Sequence, residues 1–204
     1  MIIAGAGGHG LELYQVLIQQ GVVDSDIYFF DNDKSELSKK EINGKGVFEE
    51  SEIIKHLKND PRFLLGVGNP IYREKLFFLF ESLGGKCVGV NCTTGENSGI
   101  LAANFDAFPF SFVGPSVKIG KGVLINSRAH VHHECSIGDF SEIGPGSMLL
   151  GASKIGLKCR IGAGAVILPG VQLADGMVVG AGAVVAKSVM KKSVLVGIPA
   201  KPLS

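Results

Sequence analysis

The sequence predicts a chain built in two styles. An α/β unit with a small parallel sheet occupies residues 1–90, and an all-β parallel β-helix occupies residues 113–190. Three observations carry this reading. Short apolar runs alternate with helical segments through the first half. A six-residue aliphatic period governs the second half. A glycine-rich turn joins the first strand to the first helix.

In the first half, "MIIAG" reads as a buried strand, "GAGGHG" as a tight loop, and "LELYQVLIQQG" as a helix ending at Gly21. "IYFFD" is a second strand. "FEESEIIKHLKND" is a second helix, capped around Ser51. "RFLLGVG" is a third strand, "PIYREKLFFLFESLGG" a third helix closed by Gly84 and Gly85, and "KCVGV" a fourth strand. Residues 91–112 break both patterns and read as a connector or irregular first coil. Its four phenylalanines, at 105, 108, 110 and 112, are expected at the domain junction.

From Val113 to Val185 every sixth residue is Val, Ile or Leu, thirteen times in succession. The position four later is mostly small or apolar, and the one following the aliphatic residue is often glycine. A hexapeptide period of this kind gives one short strand and one corner per repeat, with three repeats to a coil. The aliphatic residue and the one two before it point inward, their neighbours lie on the outer flat face, and the remaining two make the corner. Residues 191–204 form a tail.

The formal charge of +1 over 204 residues argues against a nucleic-acid or charged-membrane partner. Cys87, Cys92, Cys135 and Cys159 make no CxxC pair and no zinc-like spacing, which favours a reducing compartment. No stretch approaches the ~18 apolar residues of a membrane helix, and no signal peptide is evident. The expectation is a soluble cytoplasmic protein without membrane insertion.

"GAGGHG" fits GxGxxG, with Gly5, Gly7 and Gly10 in the three slots between strand and helix. Loop amides and a helix N-terminus in that setting receive a diphosphate. Asp31, ending the next strand, stands roughly where a Rossmann-like fold places its ribose-binding acid. About ninety residues leave room for one mononucleotide half, so a nucleotide diphosphate-sugar fits better than NAD.

"HVHHEC", residues 130–135, concentrates three of the five histidines. With Val131 as the inward residue, Ala129 and Cys135 also face the core. His130 and His132 lie on an outer face, and His133 and Glu134 form a corner. Zinc would need three converging ligands, which this register does not supply within the cluster. A neutral imidazole beside a carboxylate suits a general base instead. Gly151, eighteen residues on, stacks directly beyond His133. "GAGAV" at 162–166 and 180–184 repeats at the same interval and offers open backbone at one corner.

The tandem hexapeptides resemble the left-handed β-helix acyltransferases. The whole chain resembles bacterial sugar acetyltransferases of the sialic acid O-acetyltransferase and UDP-4-amino-sugar N-acetyltransferase type, including the bacillosamine-pathway enzyme. The matching pieces are "GAGGHG", "FFDND", "GVGNPIYREKL", "HHECSIGDFSEIGPGS" and "VGIPAKPL". The resemblance implies a left-handed coil, a homotrimer, acetyl-CoA as donor, a nucleotide-sugar acceptor and no metal. It implies that His133 is the general base, Glu134 its partner, and the Gly151 amide the oxyanion and donor contact. It places Ala163 and Ala181 against acetyl-CoA, and Gly7, Gly8, His9, Asp31, Asn32 and Gly68 against the nucleotide-sugar. The family's second acid after the second strand is Asn32 here. A histidine that meets the acetyl donor nine residues after the base is Glu142 here. The function implied is acetyl transfer to the amino group of a UDP-linked sugar for bacterial surface glycans. O-acetylation of a sialic-acid-like sugar and a non-catalytic nucleotide-binding scaffold stand as alternatives.

Overall fold

A computed structural model describes residues 1–32, 41–42, 45–93 and 102–203. The N-terminal unit runs β1 (Ile2–Ala4), α1 (Gly8–Gln19), β2 (Tyr28–Phe30), β3 (Glu41–Ile42), β4 (Lys45–Phe48), α2 (Glu50–Leu57), β5 (Arg62–Leu65), α3 (Pro70–Ser82), β6 (Lys86–Gly89) and β7 (Ala102–Ala103). These strands form one sheet in the order β3-β4-β2-β1-β5-β6-β7. The five central strands are parallel, and β3 and β7 add antiparallel edges. The chain leaves β1 toward β2 and later returns to β5 on its other side. The crevice at the carboxyl ends of β1 and β5 is therefore the ligand position that open α/β sheets favour.

Two local expectations need correction. β4 had been missed, because "KGVF" is too short to show an alternation and its phenylalanine reads into the next helix. That helix is capped by Glu49, not around Ser51: Glu52 Oε2 accepts the Glu49 amide at 3.0 Å in a reciprocal capping box. By contrast α3 starts as its sequence suggests, with Asn69 accepting the Ile71 amide at 3.0 Å ahead of Pro70.

Arg62 at the start of β5 grips Asp60 through Nε (2.8 Å) and Nη2 (2.7 Å), which holds the Asp60 carboxyl well below the usual carboxylate range. A carboxylate depressed by folding stabilises the native state above its unfolded pKa of about 3.9 and loses that contribution as pH falls toward the folded value. Asp60→Asn therefore lowers the urea midpoint at neutral pH. The gap from the unmodified protein narrows as the pH drops below about 4. A gap independent of pH would show that the carboxylate charge is not what matters.

The C-terminal unit is a parallel β-helix with three faces. Its first face stacks Phe105–Ala107, Val123–Ile125, Glu142–Ile143, Arg160–Ile161, Val178–Val179 and Val194–Val196. The second stacks Phe112–Val113, His130–Val131, Met148–Leu149, Val166–Ile167 and Val184–Val185, and the third runs from Lys118–Ile119 to Gln172–Leu173. Registers step by eighteen residues, as in His130↔Met148↔Val166. The inward positions are buried as expected, except Val113, Val117, Ile119 and Val189 near the two ends of the period, which are half-buried. The serines among them satisfy their hydroxyls, Ser141 donating to Gly156 O and Ser147 to Gly144 O, both at 2.8 Å.

Each corner carries a residue in the left-handed region. From Asn104 to Gly182 every sixth residue has a positive φ, between 53° and 71°. Six of these fourteen are glycine, the residue that takes this conformation without cost.

The coil begins earlier than the aliphatic period shows. Ala107 occupies the inward position six before Val113, and Phe105–Ala107 pairs with Val123–Ile125. Residues 94–101 of the connector lie outside the described residues, as does Asp33 of "FFDND". Of the four connector phenylalanines, Phe108 is buried at the junction and Phe105 half-buried. Phe110 and Phe112 face outward, one at a corner and one on the second face. The junction is otherwise sealed by Leu124 and Phe140, whose side chains pack into the two cores of the α/β unit.

Candidate active site

The glycine loop opens the first part of the site. Gly5 adopts φ +116°, and a Cβ on Gly10 would lie 2.2 Å from Gly5 O, so helix α1 can sit this close to the sheet only without one. Gly7 and Gly8 have open space where a Cβ would stand. No side chain caps α1, which leaves its first amides available to an anion. Asp31 Oδ2 accepts the Ala6 amide at 2.7 Å and so braces the loop it was expected to accompany.

Gly7, Gly8, His9, Asp31, Asn32 and Gly68 all line one cavity of about 470 Å³ at the carboxyl ends of β1, β2 and β5. The remaining wall comes from α3, where Tyr72, Lys75, Leu76 and Leu79 form one stripe. Sequence reasoning missed this stripe, although the spacing i, i+3, i+4, i+7 was there to be read. Lys75 is the cationic side chain of this lining, and its Nζ lies 5.7 Å over the Tyr72 ring. His9 packs against Phe108, the ring centroids 5.1 Å apart and tilted, with Nδ1 3.4 Å from Glu12 and a buried Nε2 that has no partner among the described residues. That hydrogen bond holds the Glu12 carboxyl below its usual range.

The second part lies at the corner between the second and third faces. His133 Nδ1 sits 2.9 Å from Glu134 Oε2, and both side chains are exposed. In the tautomer that carries its hydrogen on Nδ1, that N–H donates to the carboxylate and Nε2 is the accepting nitrogen. A Cβ built on Gly151 would fall 2.6 Å from both Cε1 and Nε2 of His133, so that side of the ring comes against the bare glycine. The Gly151 amide has no acceptor among the described residues. Glu134 holds its left-handed corner, φ 62°, with a side chain where glycine would fit more easily. His130 and His132 stay on the second face near Phe112, each ring 6.1 Å away. Among the described residues no group of His, Cys, Asp or Glu converges as metal ligands do.

The third part, Ala163 and Ala181, stacks at the corner between the first and second faces, where a Cβ on Gly162 would lie 2.6 Å from the Ala181 amide. Neither alanine amide donates to another described residue. Within one chain Glu142 joins neither the His133 corner nor the alanine strip. It lies on the first face, where Arg160 Nε donates to its Oε2 at 2.8 Å and where a Cβ on Gly68 would lie 3.5 Å from its Oε1. The structure thus puts Glu142 beside the loop cavity, away from the His133 corner and from the alanine strip.

Residues 1–78 match the PglD N-terminal domain family, and residues 116–151 match the bacterial transferase hexapeptide (six repeats) family. The acetyltransferase domain of PglB from Neisseria gonorrhoeae FA1090 is similar over 99% of this chain and 98% of its own, at 28% identity and a TM-score of 0.85. The chain is a hexapeptide-repeat acetyltransferase.

A second structure of that PglB domain, in complex with acetyl coenzyme A, is similar at 26% identity and a TM-score of 0.73, over 99% of this chain and 98% of the other. PerB from Caulobacter crescentus, in complex with CoA and GDP-perosamine, shares the fold at 24% identity and a TM-score of 0.78, over 100% and 96% of the two chains. The coil of this hexapeptide-repeat acetyltransferase is accordingly the left-handed β-helix, with the α/β unit set against its first face. No described helix of the acetyltransferase is long and apolar enough to cross a membrane.

Proposed function

We propose that the protein transfers an acetyl group from acetyl-CoA to the amino group of a nucleotide-linked amino sugar, in the cytoplasm, for bacterial surface glycan assembly. The observation that carries this reading is the His133 ring, fixed by Glu134 on one nitrogen and lying with the other over the Gly151 backbone. The acceptor nitrogen attacks the thioester carbonyl carbon and forms the C–N bond. The Gly151 N–H receives the developing oxyanion, and His133 Nε2 takes the amine proton. Collapse breaks the C–S bond, and the proton passes from His133 to the departing sulfur. The free amides of Ala163 and Ala181 suit the pantetheine arm, and the loop cavity with Lys75 and the α1 amides suits the nucleotide diphosphate.

These three parts stand at different edges of one chain, so we assign the working unit as a homotrimer in which a neighbour's His133 corner meets this chain's nucleotide cavity. The outer surface supports that arrangement. The second face presents Phe112, His130, Met148, Val166 and Val184, whereas the third presents Lys118, Ser136, Lys154 and Gln172. An apolar strip of this length is typical of surfaces that bind another protein.

Thiol release from acetyl-CoA, measured against a panel of nucleotide amino sugars and sialic acids, tests the reaction, and sedimentation tests the trimer. Release with amino-sugar nucleotides alone supports the proposal, release with sialic acids supports O-acetylation, and no release with any acceptor overturns it. Gly151→Ala places a methyl group into the His133 ring. It lowers kcat by ~10²-fold through misplacement of the base, with nucleotide affinity unchanged. Unaltered turnover in that variant would remove Gly151 from the site.

A further inference from the structure

We infer that Glu142 and Arg160 form an acceptor-amine subsite, in which the Glu142 carboxylate receives an N–H of the sugar's amino group through the gap left by Gly68. The inference rests on the proposed function and specifies how one acceptor is told from another.

Glu142 is a carboxylate with 13% of its side chain exposed, at the seam between the α/β unit and the first face of the coil. Its two oxygens have different surroundings. Oε2 accepts from Arg160 Nε at 2.8 Å, from a guanidinium that is itself about half exposed. Oε1 points at Gly68 and has no donor among the described residues. Arg160 sits one coil further along the same face, in register with Glu142, so the pair is held by the strand ladder and not by a mobile loop.

Gly68 is part of the cavity wall, and the first atoms its missing Cβ would meet are Glu142 Oε1 at 3.5 Å and Cδ at 3.9 Å. A larger residue there would put its side chain between the cavity wall and the carboxylate, whereas glycine puts none. The lining of the cavity supplies Lys75 and the backbone amides of α1 for phosphate, with Asp31 turned toward its own loop. Among the described residues Asp31 is the one carboxylate of that lining. A carboxylate facing a partly enclosed site holds an ammonium, which brings a charge as well as N–H donors, more strongly than it holds a neutral hydroxyl. Arg160 keeps Glu142 aimed, while the neighbour's His133 remains the group that removes the proton.

The test uses the intact protein without acetyl-CoA. Titration calorimetry compares UDP, UDP-linked amino sugars with the amine at ring carbon 2, 3 or 4, and the matching hydroxy sugars. The unmodified protein binds one amino sugar at least ~10-fold more tightly than its hydroxy counterpart, the low end for a hydrogen bond to a charged group. Glu142→Gln and Arg160→Met lose most of that preference while binding UDP as before, which also shows that both variants fold. No preference in the unmodified protein, or a preference that survives Glu142→Gln, overturns the inference. So does a Glu142→Gln enzyme whose KM rises for acetyl-CoA and not for the acceptor. Because binding is read without turnover, failure of the acetyl-transfer proposal would show separately, as absent thiol release with the amine preference intact.

Discussion

Replacing His133 by alanine lowers kcat by at least ~10²-fold, the low end for a lost general base, and leaves nucleotide-sugar affinity and assembly unchanged. The side chain is exposed and sits at a corner, so its removal takes nothing from either core. What disappears is the nitrogen beside Gly151 that is proposed to receive the amine proton. Glu134→Ala should cost less, about 10-fold, because the imidazole remains and loses only the carboxylate that fixes its tautomer. Near-normal turnover of His133→Ala, measured by thiol release at saturating acceptor, would displace the base from this corner. A loss shared equally by substrate binding would point to a contact and not to proton transfer.

Arg73→Met destabilises the fold by about 3–5 kcal/mol, the range for leaving one partner of a buried ion pair uncompensated. Arg73 has no exposed surface and Asp106 is 1% exposed. The guanidinium donates to Asp106 Oδ2 at 2.6 Å, to Gly122 O at 2.7 Å, and to the Leu65 and Val67 carbonyls at 2.9 and 2.8 Å. One side chain of α3 thereby ties together the cavity loop after β5, the first coil and the connector. Asp106 also accepts the Val90 amide at 3.1 Å, so its charge cannot escape to water when Arg73 is removed. Arg73→Met combined with Asp106→Leu recovers part of the loss, since replacing both charges removes the orphan. Urea unfolding of Arg73→Met, Asp106→Leu and the double variant checks this. A single-variant change under about 1 kcal/mol would place the pair in the range of surface bridges instead. Nucleotide affinity falls together with stability in Arg73→Met, because Val67 lies between two cavity glycines.

Much of the site could be read from residues whose positions follow a period. His133, Glu134 and Gly151 fall into place because eighteen residues make one coil, and the loop residues because a strand and a helix flank them. Glu142 shows the limit of that reasoning. Its register on the first face was calculable, but its nearness to Gly68 depends on how the α/β unit docks against the coil. Arg73 is another such case. In "PIYREKL" it looks like one of the polar residues of an ordinary helix, and only the meeting of three chain segments buries it. The Tyr72–Lys75 wall was legible and was passed over. β4 was not legible, since four residues cannot declare a period. Phe110 and Phe112 were assigned by type, as large apolar residues due for burial, when their places in the hexapeptide already pointed them outward.

The far end of the coil has one more consequence. A stack of parallel rungs finishes in unpaired amides and carbonyls on all three faces, a template onto which another chain could add. Here the register tightens from eighteen residues to sixteen: Val178 pairs with Val194, and Leu173 meets Val189. The strand Lys201–Pro202 then folds back antiparallel across Leu195 and Val196. On the second face Val184 donates to Gly197 O and accepts from the Ala200 amide. The last rung is thus closed on every side, and the closing strand carries a proline, which has no N–H to offer, and a lysine, whose charge repels like edges. Deleting residues 197–203 would therefore bare the end of the coil, and sedimentation would show the shortened chain growing end to end.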